Sequence, residues 1–168
     1  IKDAVASLCL QANFVLRPDV LAALKSALKK ENKRQAREIL QAIIVNAAVA
    51  AKERVAICQD TGLPCVFIEL GQDVRIKGNL KKAVIAGVKA GYQKGCLRNS
   101  IVKNPLQRKE PGFSPALTHF EIAQGNKLKL TILPKGFGCE NKTRLKMFHP
   151  TSSLSEIKQF ILEAVRQA

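Results

Sequence analysis

The hydrophobic pattern of this chain changes between residues 54 and 63, and this change limits the folds that the chain can adopt. Before that point, apolar residues recur at helical spacing, whereas Pro64–Leu70 is a short β-rich run that suits a buried strand. The stretch between them, Ile57–Gly62, reads Ile-Cys-Gln-Asp-Thr-Gly and combines polar residues with a glycine. The chain therefore passes from a helical part to a mixed part at a polar loop, the kind of segment that often carries function.

Residues 1–54 are predicted to form a helical lead. Pro18 suits the first turn of a second helix, because the N–H that proline lacks would have no helical partner there. A third, longer helix is predicted from about Lys33 to Arg54, with its apolar residues on one stripe. The apolar positions of the three helices are Ile1, Val5 and Leu8; Leu21, Leu24 and Leu28; and Ala36, Ile39, Leu40, Ile43, Ile44 and Ala47.

Residues 55–168 are predicted to form a mixed helix and strand region. After the strand at Pro64–Leu70, the pattern predicts a turn, a return strand at Val74–Ile76 and a helix from Leu80 to Gln93. Alternating apolar residues across 117–134, with Gly125-Asn126 between them, predict an antiparallel hairpin. Ser153 and Glu156 form a capping box before a last helix. We therefore expect an α+β fold, in which N-terminal helices precede a region with antiparallel hairpins.

The charge balance predicts an anionic partner. Lys and Arg number 28 against 13 Asp and Glu, so the formal net charge is +15. The sequence has neither an apolar run of about 18 residues nor a secretory signal pattern, so we expect a soluble, cytoplasmic protein without a membrane partner. Seven Phe and one Tyr, mostly in apolar patterns, argue against base stacking and make nucleic acid an unexpected partner.

The five cysteines are widely spread, which argues against a disulfide framework or a self-contained zinc site. Cys9, Cys65 and Cys96 fit the ordinary pattern of small buried apolar residues. Cys58 follows a helix and precedes two polar residues, so its sulfur either faces a polar cleft as a soft ligand for iron or is buried like the others.

Three further positions allow both a functional and a purely structural interpretation. Asp60 suits proton transfer if a dry site raises its pKa, or it forms an Asx turn with Gly62. Arg98 offers a planar fork of donors that matches a carboxylate, or it solvates a surface. The glycines of Gly136-Phe137-Gly138 allow backbone N–H groups to approach an anion, although the spacing is not that of a nucleotide-binding loop.

Taken in order, several segments resemble the iron-sulfur hydro-lyase family of class I fumarases and L(+)-tartrate dehydratases, specifically its alpha subunit or N-terminal domain. Ordered matches across about a hundred residues are far more specific than any single short motif. The matching segments are Ile57–Gly62, Gly71–Val74, Gly91-Tyr92, Leu97–Val102, Pro115-Ala116 and Lys135–Lys142.

The resemblance implies a 4Fe-4S cluster held by three cysteines, with one open iron that binds a hydroxy-dicarboxylate, and reversible hydration of a carbon–carbon double bond. By position, Cys58 resembles the first cluster ligand, and Gln59 and Asp60 resemble substrate contacts. Asp60 is also the expected acid that protonates the departing hydroxyl. Arg98 resembles a carboxylate clamp, and Gly136 and Gly138 are expected to contact substrate through their backbone. Cys139 aligns with a serine and is expected to be a loop residue.

The resemblance also implies that this chain is an incomplete unit. The family's second and third cluster ligands follow the segment that resembles Ser155–Ala168, so we expect a C-terminal domain or beta subunit to complete the site, within a homo-oligomer or hetero-oligomer. We expect the chain alone to have neither cluster nor activity. Fumarate and tartrate remain equal candidates for the substrate. The alternative is a non-catalytic basic remnant of the same fold that binds an acidic partner or nucleic acid.

Overall fold

The computed structural model describes the chain except for residues 103, 105, 108, 110, 114 and 115, and it leaves out the side chain of Cys139. Within the expected Leu97–Val102 and Pro115-Ala116 matches, only residue 115 lies outside the described residues. The chain divides into two compact units, Ile1–Lys135 and Gly136–Ala168.

The helical lead is confirmed as three helices, α1 (Lys2–Phe14), α2 (Pro18–Lys30) and α3 (Arg34–Glu53). Pro18 occupies the first turn of α2, as expected. The helix α3 ends at Arg54, whose φ of 55° places it in the left-handed region that commonly terminates helices. Helix α2 packs against α3, whereas α1 packs against elements from the second part of the sequence.

A three-stranded mixed sheet confirms the α+β class. Its strands are β1 (Leu63–Gly71), β2 (Leu117–Ala123) and β3 (Leu128–Lys135), in the order β2-β1-β3. Strand β1 runs parallel to β2 and antiparallel to β3, so that Val66 lies opposite both Thr118 and Ile132. The crossover from β1 to β2 contains helix α4 (Leu80–Lys94), the usual way of joining parallel neighbours. Gly95 follows the last residue of this helix and ends it.

The expected hairpin between residues 117 and 134 is wrong in its pairing. Both arms are strands, but β1 lies between them, and the connection crosses the end of β1 instead of joining bonded neighbours. The Gly71 N–H donates to the Lys127 carbonyl at 2.8 Å, and the Gln72 N–H donates to the Ala123 carbonyl at 2.9 Å. Alternating apolar arms around a turn do not specify whether they pair with each other or with a strand distant in sequence.

The expected return strand at Val74–Ile76 is also wrong. These residues have no strand structure, and the Val74 N–H instead donates to the Gly71 carbonyl at 2.9 Å, which closes a tight turn. Val74 and Ile76 therefore follow the turn without adding a strand to the sheet. Strand β1 already has a partner on each side, so its hydrogen-bonding edges are taken by β2 and β3.

The core lies where α1 and α4 meet one face of the sheet. Its buried residues are Val5, Cys9, Leu10, Phe14, Val66, Ile68, Val84, Val88, Tyr92 and Leu97. Burial raises the pKa of the Cys9 thiol to about 12, so this sulfur stays protonated and acts as a small apolar group. Cys65 is buried as expected, but Cys96 is exposed, so its expected burial is wrong.

The second unit contains a short 3-10 helix (Gly138–Lys142) and helix α5 (Leu154–Arg166). The expected capping box is confirmed: the Ser153 hydroxyl accepts from the Glu156 N–H at 3.2 Å, and the Ser153 N–H donates to the Glu156 carboxylate at 2.6 Å. Among the described residues, no helix is long and apolar enough to cross a membrane.

The capping box predicts a pH-dependent start of α5. The bond from the Ser153 backbone, and then the bond from its hydroxyl, hold the pKa of the Glu156 carboxyl below its usual value. A lowered pKa in the folded state means that the stabilisation is present above the carboxyl's unfolded pKa and is lost as pH falls through its folded pKa. Amide exchange should therefore show protection of the Ser153 N–H at neutral pH that disappears in acid. A Glu156→Gln variant should show no such transition in this pH range.

Candidate functional site

The polar segment at residues 57–62, here called the site loop, joins α3 to β1 and is fixed at its first residue. The Ile57 N–H donates to the Asn13 carbonyl at 2.9 Å, and the Asn46 side-chain amide donates to the Ile57 carbonyl at 2.9 Å. Because Asn13 belongs to α1 and Asn46 to α3, the start of the loop is tied to two helices.

The other end of the site loop is fixed by buried hydroxyl groups. Thr61 is buried, with 3% of its surface exposed, and its carbonyl accepts a hydrogen bond from the Tyr92 hydroxyl at 2.8 Å. The same hydroxyl lies 3.3 Å from the Gly62 carbonyl. The Thr61 hydroxyl accepts the Arg98 N–H at 3.0 Å. The structure thus brings the site loop and the segment at Leu97-Arg98 together, although they are far apart in sequence.

Between these two ends lie the three predicted site residues of the loop. Cys58 and Gln59 are exposed, and Asp60 is half-buried. The Asp60 carboxylate accepts the Gly62 N–H at 3.0 Å, so the Asx turn proposed as its structural role is present. This bond fixes the position of the Asp60 carboxylate within the site loop. Cys58 is exposed, so the alternative of an ordinary buried cysteine is wrong, and its role as an iron ligand stays a prediction.

Cys58 and Asp60 both line an open groove of about 690 Å³. The groove lies between α1, the site loop and β3, and most of its lining is apolar. Arg17 also lines it, but its guanidinium is paired with the Asp19 carboxylate at 2.6 Å. Gln59 and Arg98 are not among the groove-lining residues. The apolar residues include Leu8, Val15, Val20, Phe67, Ile132 and Leu133.

Arg98 reaches its place through an unusual turn after α4. Cys96 has a φ of 50°, in the left-handed region that disfavours residues with a side chain. The turn lets the Leu97 N–H donate to the Tyr92 carbonyl at 2.9 Å and buries Leu97. Arg98 follows with an exposed side chain and a backbone N–H directed at Thr61.

Replacing Cys96 with glycine should stabilise the first unit by about 1 kcal/mol, because the left-handed conformation costs a residue with a Cβ roughly that amount. Urea unfolding of the two proteins would measure the difference in free energy. Cys96→Ala is the matched control, since alanine removes the thiol but keeps the Cβ, and it should give no comparable gain. Equal or lower stability of Cys96→Gly would contradict strain at this turn.

Gly136 and Gly138 lie in the second unit, where Gly138 begins the short 3-10 helix. The contact of either glycine with substrate stays a prediction. The backbone of Cys139 lies within that helix.

Among the described residues, no group of three or more His, Cys, Asp and Glu side chains is arranged to hold a metal ion. Cys58 and Cys96 are exposed, whereas Cys9 and Cys65 are buried. Cys58 is the one of these cysteines that the resemblance matches to a cluster ligand, and that role stays a prediction.

The supporting role of Tyr92 and Thr61 was not predicted. Both residues lie in segments that match the family, but the sequence does not show that they contact each other. The available signal was that a tyrosine on a buried stripe usually needs a partner for its hydroxyl.

Comparison with known proteins finds one family model and several relatives with related descriptions. A family model described as fumarate hydratase (Fumerase) matches residues 2–168. A candidate L(+)-tartrate dehydratase subunit alpha of Methanocaldococcus jannaschii is 33% identical, over 100% of this chain and 61% of the relative. A candidate class I fumarate hydratase of Geobacillus stearothermophilus is 28% identical, over 99% of this chain and 34% of the relative. The anaerobic class I fumarate hydratase of Escherichia coli K12 is 29% identical, over 92% of this chain and 29% of the relative. The chain spans less than two thirds of the length of each of these relatives.

Proposed function

The chain belongs to the fumarate hydratase family, and we propose that it forms the N-terminal, alpha-subunit-like part of an iron-sulfur hydro-lyase. The proposed substrate is a dicarboxylate, either the fumarate and malate pair or tartrate. The observation that carries the proposal is the fixed site loop, which holds an exposed Cys58 beside Asp60 at one groove, within the segment that resembles the family's first cluster ligand.

Cys58 is the proposed ligand from this chain, and the remaining ligands belong to the longer polypeptide that the relatives' lengths imply. When bound, a 4Fe-4S cluster supplies an open iron that acts as a Lewis acid toward a substrate oxygen. A thiolate suits this role because soft sulfur ligands favour iron-sulfur clusters. The exposure of Cys58 gives a cluster access to its sulfur without unfolding of the core.

Asp60 is the proposed acid for the departing hydroxyl. In the dehydration direction its protonated carboxyl gives a proton to that hydroxyl as the carbon–oxygen bond breaks, and water leaves. The proton on the neighbouring carbon goes to a base from the completing polypeptide. The Asx turn holds the Asp60 carboxyl in place within the site loop, and this carboxyl is the proposed site of proton transfer.

Gln59 and Arg98 are the proposed substrate contacts. The Gln59 amide offers both a donor and an acceptor to a substrate oxygen. The Arg98 guanidinium suits a carboxylate, because its planar fork can donate two parallel hydrogen bonds. Both side chains are exposed, so a substrate or a second polypeptide can reach them. Gly136 and Gly138 are proposed to add backbone donors.

The net charge of +15 supports a dianionic substrate, because a positive field raises the local concentration of anions and their rate of encounter. Among the described residues, no observation favours the alternative of a non-catalytic basic remnant. A cytoplasmic location stays a prediction from the sequence.

The test is an activity assay on the completed enzyme, meaning this chain fused to or co-expressed with the rest of the length that its relatives have. Under anaerobic conditions we expect hydration of fumarate or dehydration of tartrate by the completed enzyme, and no such activity by the chain alone. Absence of both activities from a completed enzyme that carries its cluster would refute the proposal. Activity of the chain alone would refute its incompleteness.

A further inference from the structure

A buried tyrosine bonds to the part of the chain that follows the predicted site residues. Tyr92 in α4 is 1% exposed, and its hydroxyl donates to the Thr61 carbonyl at 2.8 Å and lies near the Gly62 carbonyl. Its ring packs edge-on against Phe113, with centroids 5.9 Å apart. Burial raises the pKa of the Tyr92 hydroxyl well above its ordinary range, so it remains a donor at neutral and mildly alkaline pH.

Thr61 extends this contact to the segment that carries Arg98. The Thr61 hydroxyl accepts the Arg98 N–H at 3.0 Å, and Thr61 is almost fully buried. Its carbonyl and hydroxyl therefore face two different partners, one in α4 and one after α4. The Leu97 N–H also donates to the Tyr92 carbonyl. Four residues are therefore connected by hydrogen bonds or by the chain around the end of α4: Thr61, Tyr92, Leu97 and Arg98.

We propose that Tyr92 and Thr61 are positioning residues that preorganise Cys58, Asp60 and Arg98 in this chain before any completing polypeptide joins. The inference rests on the proposed function for the meaning of those three residues, but the arrangement itself belongs to this chain. Neither Tyr92 nor Thr61 touches the proposed substrate, and each acts through the backbone that it holds.

The two ends of the site loop make this preorganisation effective. Ile57 is fixed by α1 and α3, and Thr61 is fixed by α4, so Cys58, Gln59 and Asp60 span a short distance between two anchored residues. A short segment held at both ends has few conformations to lose when a ligand binds. Geometry set in advance in this way lowers the cost of assembling a reactive site.

Loss of either hydroxyl should make the site loop more mobile without creating a cavity in the core. Tyr92→Phe keeps the ring and its packing but leaves the buried Thr61 carbonyl without its donor, and an unpaired buried group is costly. Thr61→Val keeps a similar volume but removes the acceptor for the Arg98 N–H. Thr61→Ser retains the hydroxyl and serves as the conservative rescue variant.

The test is amide hydrogen exchange on the full chain, without cluster or substrate, so that it does not depend on activity. We expect Thr61→Val to speed exchange of the Arg98 N–H by about tenfold, and Tyr92→Phe to speed exchange of the Gly62 N–H, which bonds to Asp60, by about three- to tenfold. Thr61→Ser should restore protection of Arg98. Val88→Ala is the matched control, since Val88 is a buried residue of the same helix that does not bond to the site loop.

Wild-type exchange at Arg98 and Gly62 in the Tyr92→Phe and Thr61→Val variants would overturn the inference. So would equal acceleration in Val88→Ala, because the effect would then follow general destabilisation. In the completed enzyme, Thr61→Val should lower kcat/KM by about tenfold, whereas Thr61→Ser should not. Altered exchange in an enzyme that hydrates no dicarboxylate would support the positioning role and refute the proposed function, so the two failures are distinguishable.

Discussion

Replacement of Asp60 with asparagine is expected to lower kcat of the completed enzyme by about 10²- to 10⁴-fold, the range typical of a lost general acid. Asparagine has no transferable proton, but its side-chain oxygen can still accept the Gly62 N–H that Asp60 accepts at 3.0 Å. The turn should therefore persist, and the loss should fall on the chemical step instead of on folding. Steady-state rates at saturating substrate, together with iron content, would separate these two effects.

Asp3→Asn is the control for this prediction. Asp3 is exposed in the first turn of α1 and lies outside the short motif segments that resemble the family, so loss of its charge should leave kcat unchanged. If Asp60→Asn retained kcat within about twofold while keeping its cluster, the proton-transfer role of Asp60 would be wrong.

A larger residue at Gly87 should destabilise the protein strongly, because α1 and α4 are in close contact at this position. A Cβ added at Gly87 would lie 2.5 Å from the Lys2 carbonyl oxygen and 2.7 Å from the Cβ of Val5. At Gly91, one turn later, an added Cβ would lie 2.7 Å from the Ala6 carbonyl oxygen, so the two helices pack backbone against backbone along this line. Since backbone atoms cannot move aside like the end of a flexible side chain, a larger residue must separate the helices and disturb the core.

Gly87→Val should therefore destabilise the protein by about 3 kcal/mol, at the upper end of the usual cost of overpacking. That is a large fraction of the roughly 5–15 kcal/mol that holds a typical domain folded. Urea unfolding would measure the loss. Lys89→Val introduces the same residue at an exposed position of the same helix and should cost less than about 1 kcal/mol. Similar costs for both variants would show that helix propensity, not the contact with α1, is responsible.

Local patterns predicted the helices well because the backbone hydrogen bonds of a helix join residues that are close in sequence. Periodicity placed α3 within a residue of its observed ends, and Ser153 with Glu156 marked the start of α5. The sheet was harder, because strand pairing depends on partners distant in sequence. The insertion of β1 between β2 and β3 appears in no local pattern, since a turn near Gly125 suits either arrangement.

In the candidate site, too, consecutive residues were predictable from the sequence, whereas contacts between distant residues were not. The residues of the site loop were found because they are consecutive and resemble a family motif. Tyr92 and Thr61 were missed because their role depends on a contact across some thirty residues, which only the fold reveals. The residue type alone predicts that Cys96 is buried, whereas the left-handed turn after α4 leaves it exposed.

The iron and acid-labile sulfide content of the anaerobically purified protein, measured for the wild type and for Cys58→Ser, tests whether Cys58 is a ligand of the cluster. We expect the completed enzyme to hold one 4Fe-4S cluster, its Cys58→Ser variant to hold little or none, and the chain alone to hold none. Cys65→Ser is the control, since this buried cysteine should not affect the cluster. Undiminished iron in Cys58→Ser, or a near-stoichiometric cluster on the chain alone, would contradict the assignment of Cys58 as one ligand of a shared site.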